Sequence, residues 1–197
     1  MMDSRPLIVG IGGTLRSPSS SECALRLALA AAEQCGTEVL QFSGAALELP
    51  LYCPSDLKRT PSAARLIEAL RHADGVIISS PSYHGGISGL IKNALDYVED
   101  LRAHERPYLD EVPVGVISCG GGWQGASSAL ANLRSIVHAL RGWPTPFGAV
   151  INTSQKLFDA GGGCLDEAVA QQLRTVGQQV ARRALASAAS APVGLLA

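Results

Sequence analysis

No Cys-x-x-Cys pair occurs in this chain, and its five cysteines (Cys23, Cys35, Cys53, Cys119, Cys164) are scattered. That excludes the usual zinc and disulfide frameworks and predicts a reducing, cytoplasmic location. No apolar run reaches the ~18–20 residues of a membrane helix. The N-terminal run, Leu7 to Ile11, is short and closed by glycines. It therefore reads as a strand and not as a secretory leader. An excess of one charge is missing too: 16 basic and 17 acidic residues leave a net charge of −1. Such a surface favours neither nucleic acid nor an anionic membrane as partner. It also argues against a strongly acidic electron carrier that docks by charge. Internal repeats are absent, and so are two nucleotide signatures. Without Gly-x-Gly-x-x-Gly, a dinucleotide Rossmann site is unsupported. Without Gly-x-x-x-x-Gly-Lys-[Ser/Thr], triphosphate hydrolysis is unsupported.

What is present is a globular composition, 47% hydrophobic and 17% charged over 197 residues. That suits one domain, predicted over 1–186, with an Ala/Ser-rich flexible tail over 187–197. Five apolar runs read as strands: Leu7–Ile11, Thr37–Phe42, Gly75–Ser79, Val112–Ser118 and Phe147–Ile151. Helical patterns follow each of them, at Glu22–Cys35, Ser62–Ala73, Ile87–Leu101, Ala126–Leu140 and Leu165–Ala186. Nearly all-apolar strands alternating with helices predict an α/β fold, a doubly wound parallel sheet with helices on both faces. Five strands without a sixth favour the flavodoxin-like order 2-1-3-4-5. A long link, Ser43 to Pro61, carries three prolines and reads as irregular, functional or at an interface.

Right-handed crossovers bring the loops after the first, third and fourth strands to one rim. All three have unusual composition. The first, Gly12 to Ser21, joins a strand to a helix N-terminus, where free amides and the helix dipole favour a phosphate. Thr14, Ser19 and Ser21 offer hydroxyls, and Arg16 a bidentate contact. The alternative is a loop whose hydroxyls only cap the helix, since Ser19 and Glu22 have capping-box spacing.

The second, Ser80 to Gly89, presents Pro81, Tyr83 and His84 with Gly85, Gly86 and Gly89. It suits a planar, polar-edged ligand; a lone histidine reads better as a surface residue, but less so for His84 in this loop. The third, Cys119-Gly120-Gly121-Gly122, supplies a floor without side chains, or a flexible turn. Trp123 beside it suits either a ligand or a neighbouring subunit. Cys119 has no His or Asp partner in sequence and reads as packing rather than nucleophile. Lys92 and Asp96 read as a solvated i,i+4 pair.

These residues carry a resemblance. Gly13-Thr14-Leu15-Arg16-Ser17-Pro18-Ser19-Ser20-Ser21 is similar to the G-S-L-R-x-x-S-x-N motif of NAD(P)H-dependent FMN reductases, with Ser21 replacing Asn. Pro81-Ser82-Tyr83-His84-Gly85-Gly86-Ile87-Ser88-Gly89-Leu90-Ile91-Lys92-Asn93-Ala94-Leu95-Asp96 is similar to their P-x-Y-N/H-x-S-x-P/S-G-x-L-K-N-A-x-D, with Gly86 replacing Ser. Ser118 to Gly125 resembles the S-x-G-G segment, and Phe158-Asp159 with Leu165-Asp166 resembles a late F-D-x-x-G-x-L-x-D piece.

The resemblance implies an FMN phosphate at Thr14, Leu15, Arg16, Ser19 and Ser21. It implies ring contacts at Pro81, Ser82, Tyr83, His84, Gly85, Gly86 and Ile87, and at Cys119, Gly120, Gly121 and Gly122. It further implies NADPH or NADH as co-substrate and hydride transfer to the flavin, with no metal. No protein acid or base is assigned; Tyr83 and His84 shape the site. Electrons would pass on to a quinone, azo compound or metal oxyanion, or through reduced FMN to a partner monooxygenase. A homodimer or homotetramer with flavin near the interface is implied as well. Two other readings stand: a flavodoxin-type carrier, disfavoured by the missing T-x-T-x-x-T loop, and a biosynthetic flavoenzyme of the same fold.

Overall fold

The structure, a computed structural model, describes residues 5–190. Its elements run β1 (Leu7–Gly12), α1 (Ser20–Glu33), β2 (Glu38–Phe42), α2 (Pro61–Arg71), β3 (Gly75–Tyr83), β4 (Gly86–Ile87), α3 (Gly89–Asp96), β5 (Pro113–Gly120), α4 (Trp123–Ala139), β6 (Trp143–Pro144), β7 (Ala149–Asn152) and α5 (Glu167–Ser190). The sheet order is β2-β1-β3-β5, with β6 and β7 both pairing β5 in parallel. This is the predicted class and, strand position for strand position, the flavodoxin-like order. Two details differ. The last position is divided, β6 pairing Pro113–Val114 and β7 pairing Ile117–Gly120. Pro144 and Pro146 lack the amides that a continuous strand would need there. A further strand, β4, folds back antiparallel on β3.

Alternate residues of the central strands feed two cores, as a period of two requires. Val9, Ile11, Val76, Ile78, Val114 and Val116 pack with α2, α3 and α4 residues such as Leu66, Leu70, Ile91 and Leu133. Ile8, Ile77, Ile117 and Ile151 pack with Leu25 and Ala28 of α1 and with Leu173, Val176 and Val180 of α5. The two helices on that second face touch backbone to backbone. A Cβ on Gly177 of α5 would lie 1.9 Å from the Ala28 carbonyl oxygen of α1. Only glycine fits, which accounts for a residue that otherwise weakens a helix interior.

Element ends moved in informative ways. Strand β3 runs on to Tyr83, so Pro81 to Tyr83 are strand and not loop. Helix α1 starts at Ser20, capped by the Ser19 hydroxyl, which accepts from Glu22 N at 3.3 Å. The other half of the capping box does not form: Glu22 Oε2 is buried without a hydrogen-bond partner among the described residues. The α3 helix begins at Gly89, capped by Ser88, and is followed by a 3-10 helix over Tyr97–Leu101. At the far end, α5 continues past Ala186 to Ser190, as the helix preference of its alanines allows. That corrects the tail boundary at 187; residues 191–197 lie outside the described residues.

Candidate functional site

The loops after β1, β3 and β5 do meet. A cavity of about 160 Å³ opens between them, over the switch point where β1 and β3 adjoin. From the first loop come Thr14, Arg16, Ser19, Ser20 and Ser21; from the end of β3 come Pro81, Ser82 and Tyr83; from β5 and its glycine run come Cys119, Gly120 and Gly121.

The first loop is shaped by its own hydroxyls. Thr14 Oγ1 donates to Arg16 O (2.9 Å) and accepts from Arg16 N (3.2 Å), closing a tight turn. Ser19 Oγ, besides capping α1, lies 3.3 Å from Ser21 Oγ. Ser79 Oγ on β3 donates to Ser21 O (2.8 Å), tying the helix start to the neighbouring strand. The hydroxyls therefore both cap and line the cavity; the two sequence readings are not exclusive. In the first turn of α1, Glu22 N is taken by Ser19 Oγ and Cys23 N by Ser19 O, while the Ser20 and Ser21 amides have no hydrogen-bond partner among the described residues. Arg16 is exposed and enters no ion pair among the described residues, while Leu15 beside it is 58% exposed and lies off the cavity wall.

The second loop is a two-residue hairpin. His84 and Gly85 both have positive φ, 52° and 82°, as a type I′ turn between β3 and β4 demands. Below it, Ser80 Oγ accepts from Ser88 N (3.1 Å) and donates to Pro81 O (2.8 Å), which fixes the hairpin on the sheet. Tyr83 lines the cavity; His84, Gly85, Gly86 and Ile87 make the hairpin beyond it and do not.

In the third loop, a Cβ on Gly120 would press on Ser82 and Ala126 at 3.1 and 3.2 Å, whereas Cβ atoms on Gly121 or Gly122 would enter open space. Gly122 is the N-cap of α4 and is not part of the cavity wall. Cys119 is buried, and burial pushes its thiol up to about 12, so it stays protonated and serves as floor, not nucleophile. Trp123 opens α4 and is 62% exposed.

Two wall residues escaped the sequence reading. Ser20 lies inside a stretch already singled out, but without a motif position of its own. Thr153 follows β7 and is held there by its amide, which donates to Gly120 O (2.8 Å). Only the sheet order brings it to the site.

The long link from Ser43 to Pro61 is the other irregular segment on this rim, and it is clamped. Arg59 donates to both oxygens of Asp100, from Nε at 2.6 Å and from Nη2 at 2.8 Å, and lies over the rings of Tyr52 and Tyr97. Tyr52 Oη adds a bond to Asp100 (3.1 Å), and Asn93 Oδ1 accepts from Tyr52 N (2.8 Å). The Arg59 bonds hold the Asp100 carboxyl below the usual range, and the pairing raises Arg59 in turn. Leu51 and Leu57 remain exposed on this loop. Lys92 and Asp96 form the expected surface pair at 2.5 Å. No group of three or more His, Cys, Asp or Glu among the described residues could hold a metal ion, and no helix there is long and apolar enough to cross a membrane.

The donor set fits FMN. Hydroxyls, first-turn amides and a guanidinium at one end suit a phosphate. At the other end, the open space above Gly121 and Gly122 leaves room for a flat ring.

Comparison with known proteins agrees. The family model for NADPH-dependent FMN reductase matches residues 6–156. The chain is 31% identical over 177 residues to an NAD(P)H-dependent FMN reductase of Pseudomonas aeruginosa, covering 86% of this chain and 92% of that one. An FMN-dependent NADPH-azoreductase of Staphylococcus aureus is 40% identical over 81 residues, 41% of this chain and 39% of its own. In fold, the chain is similar to FerB, a flavoenzyme NAD(P)H:(acceptor) oxidoreductase from Paracoccus denitrificans, with a TM-score of 0.73, 24% identity, and coverage of 92% and 98%. Because the family match spans the loop after β1, the hairpin and the glycine run together, the chain belongs to the NADPH-dependent FMN reductase family, as a flavin-dependent oxidoreductase that uses FMN with NAD(P)H as co-substrate.

Proposed function

We propose that FMN binds with its phosphate in the β1–α1 loop and its ring between the hairpin and the glycine run, and that the reduced cofactor serves a small acceptor. The observation that carries this is the single cavity shared by three loops of unusual composition. Arg16, Ser19 and Ser21 neutralise and position the phosphate with the α1 amides, and Thr14 and Leu15 set the turn that presents them. Pro81 to Tyr83 hold one edge of the ring, His84 to Ile87 arch over it, and Cys119 to Gly122 form the floor. FMN, when bound, supplies the hydride chemistry at its N5.

The protein's share is orientation and field. Cys119 remains a neutral thiol beneath the ring, so no protein nucleophile competes with hydride delivery. The near-balanced charge leaves no strong bias towards a charged protein partner. Quinones, azo compounds or metal oxyanions are therefore the acceptors we favour, with a flavin-dependent monooxygenase as the protein-borne alternative. Exposed Leu51, Leu57, Tyr83 and Trp123 suit a homodimer or homotetramer around the site, and five unpaired cysteines suit the cytoplasm. A fold of one domain, reaching through α5 to Ser190, completes the reading.

The test is anaerobic titration of the FMN-loaded protein with NADPH and NADH, followed by an acceptor panel. Bleaching of the bound flavin and turnover with at least one small acceptor are expected. Flavin binding without any turnover would return the protein to the carrier reading.

A further inference from the structure

The phosphate end of the cavity is not closed. A second cavity of about 280 Å³ meets the first along Ser19, Ser20 and Thr153. Its outer wall is the segment after β7, and Cys23, one turn into α1, lies at its base. That wall is built rather than loose. Leu165 N donates to Leu157 O (2.8 Å), Gly163 N to Asp159 Oδ1 (2.8 Å), and Arg26 Nη2 to Gly161 O (3.0 Å), which ties the segment to α1. Lys156 lines the groove and enters no ion pair among the described residues.

A site shaped only for a terminal phosphate would end at the first turn of α1. Here space continues past that turn. It meets a second cation at Lys156, hydrogen-bonding groups at Ser154 and Gln155, and apolar side chains at Leu157 and the nearly buried Phe158; the Asp159 carboxylate also lines it, with Oδ1 engaged by Gly163 N. A second phosphate, a sugar and a flat base need those three kinds of surface. At about 280 Å³ the groove is just smaller than a pocket for a whole small-molecule ligand, about 300–1,000 Å³, and suits half of a dinucleotide.

We infer that this groove holds the adenylyl half of a flavin dinucleotide, with Lys156 beside its second phosphate, so that the protein takes FAD as well as FMN. The inference rests on the proposed placement of the flavin phosphate in the neighbouring cradle. Dissociation constants for FMN and FAD, measured by fluorescence quenching on wild type and Lys156→Glu, test it, with melting curves to confirm folding. FAD is expected to bind wild type at least as tightly as FMN. Lys156→Glu should weaken FAD about tenfold and FMN by less than about twofold. If neither flavin binds, the proposed function itself fails. If FMN binds wild type and FAD is clearly weaker, or if Lys156→Glu weakens both equally, only this inference is overturned. A raised KM for NADPH with unchanged FAD affinity would give the groove to the pyridine nucleotide and overturn it as well.

Discussion

Arg16 and Arg59 sit in neighbouring loops on the same rim of the sheet, and they are used in opposite ways. Arg59 spends its guanidinium on Asp100, between two tyrosine rings, in a half-buried clasp. Arg16 keeps its guanidinium free beside buried hydroxyls and the start of a helix. Both loops are rich in residues that oppose regular structure. In one, the polar groups satisfy each other and the loop is architecture. In the other, hydroxyls fix the backbone and Ser19 takes the Glu22 amide, while the Arg16 cation and the Ser20 and Ser21 amides stay uncommitted, as the proposed phosphate site requires. Composition does not separate the two; the partners do.

The largest expected effect falls on the architectural loop. Asp100→Ala strands Arg59 and the Tyr52 hydroxyl, and should cost about 2–4 kcal/mol in urea unfolding, below the fully buried limit because the pair is partly solvated. FMN affinity should hold within about twofold; a larger loss would show that the two loops are coupled. Next is Arg16→Ala. It should weaken FMN about 10–100-fold, the worth of a charge-assisted contact, while leaving the flavin-free unfolding midpoint in place.

Acid should separate the loops further. Asp100 has a lowered pKa in the folded state, so its contribution is present above the unfolded value of about 3.9 and is lost as pH falls through the folded value. The stability gap between wild type and Asp100→Asn should therefore be full at neutral pH and close below about pH 4. A gap that stays constant with pH would mean the carboxylate is not the source of the clasp's strength. The smallest effect is Ser19→Ala, which belongs to both categories. Loss of the cap should cost about 1 kcal/mol of stability, and FMN affinity should drop only severalfold.

The first loop's place in the cavity wall was legible because its signals are local. A strand end, a glycine pair, hydroxyls at capping positions and an arginine all fall within Gly12 to Ser21. The hairpin was only half legible. His84-Gly85 is not one of the dipeptides that announce a type I′ turn, and the polar run Ser79 to Ser82 hid the continuation of β3. The clasp was illegible for a simple reason: Arg59 and Asp100 are 41 residues apart, and nothing in either segment points to the other. Thr153 joined the site through sheet order alone. Lys156 precedes the Phe158-Asp159 motif but holds no position in it, and only the fold sets it against the start of α1, where Ser19, Ser20 and Cys23 line the same groove.

The contact between Gly177 and the Ala28 carbonyl reaches further than packing. Helix α1 carries the anion cradle at its start, and α5, the last element of the described fold to leave the ribosome, is the surface against which α1 is seated. During synthesis the α1 sequence emerges early and waits for most of the described fold before its α5-facing side is covered. With FMN placed as proposed, its capture follows the arrival of α5, and a bulkier residue at 177 is expected to show first as newly made protein that cannot retain flavin.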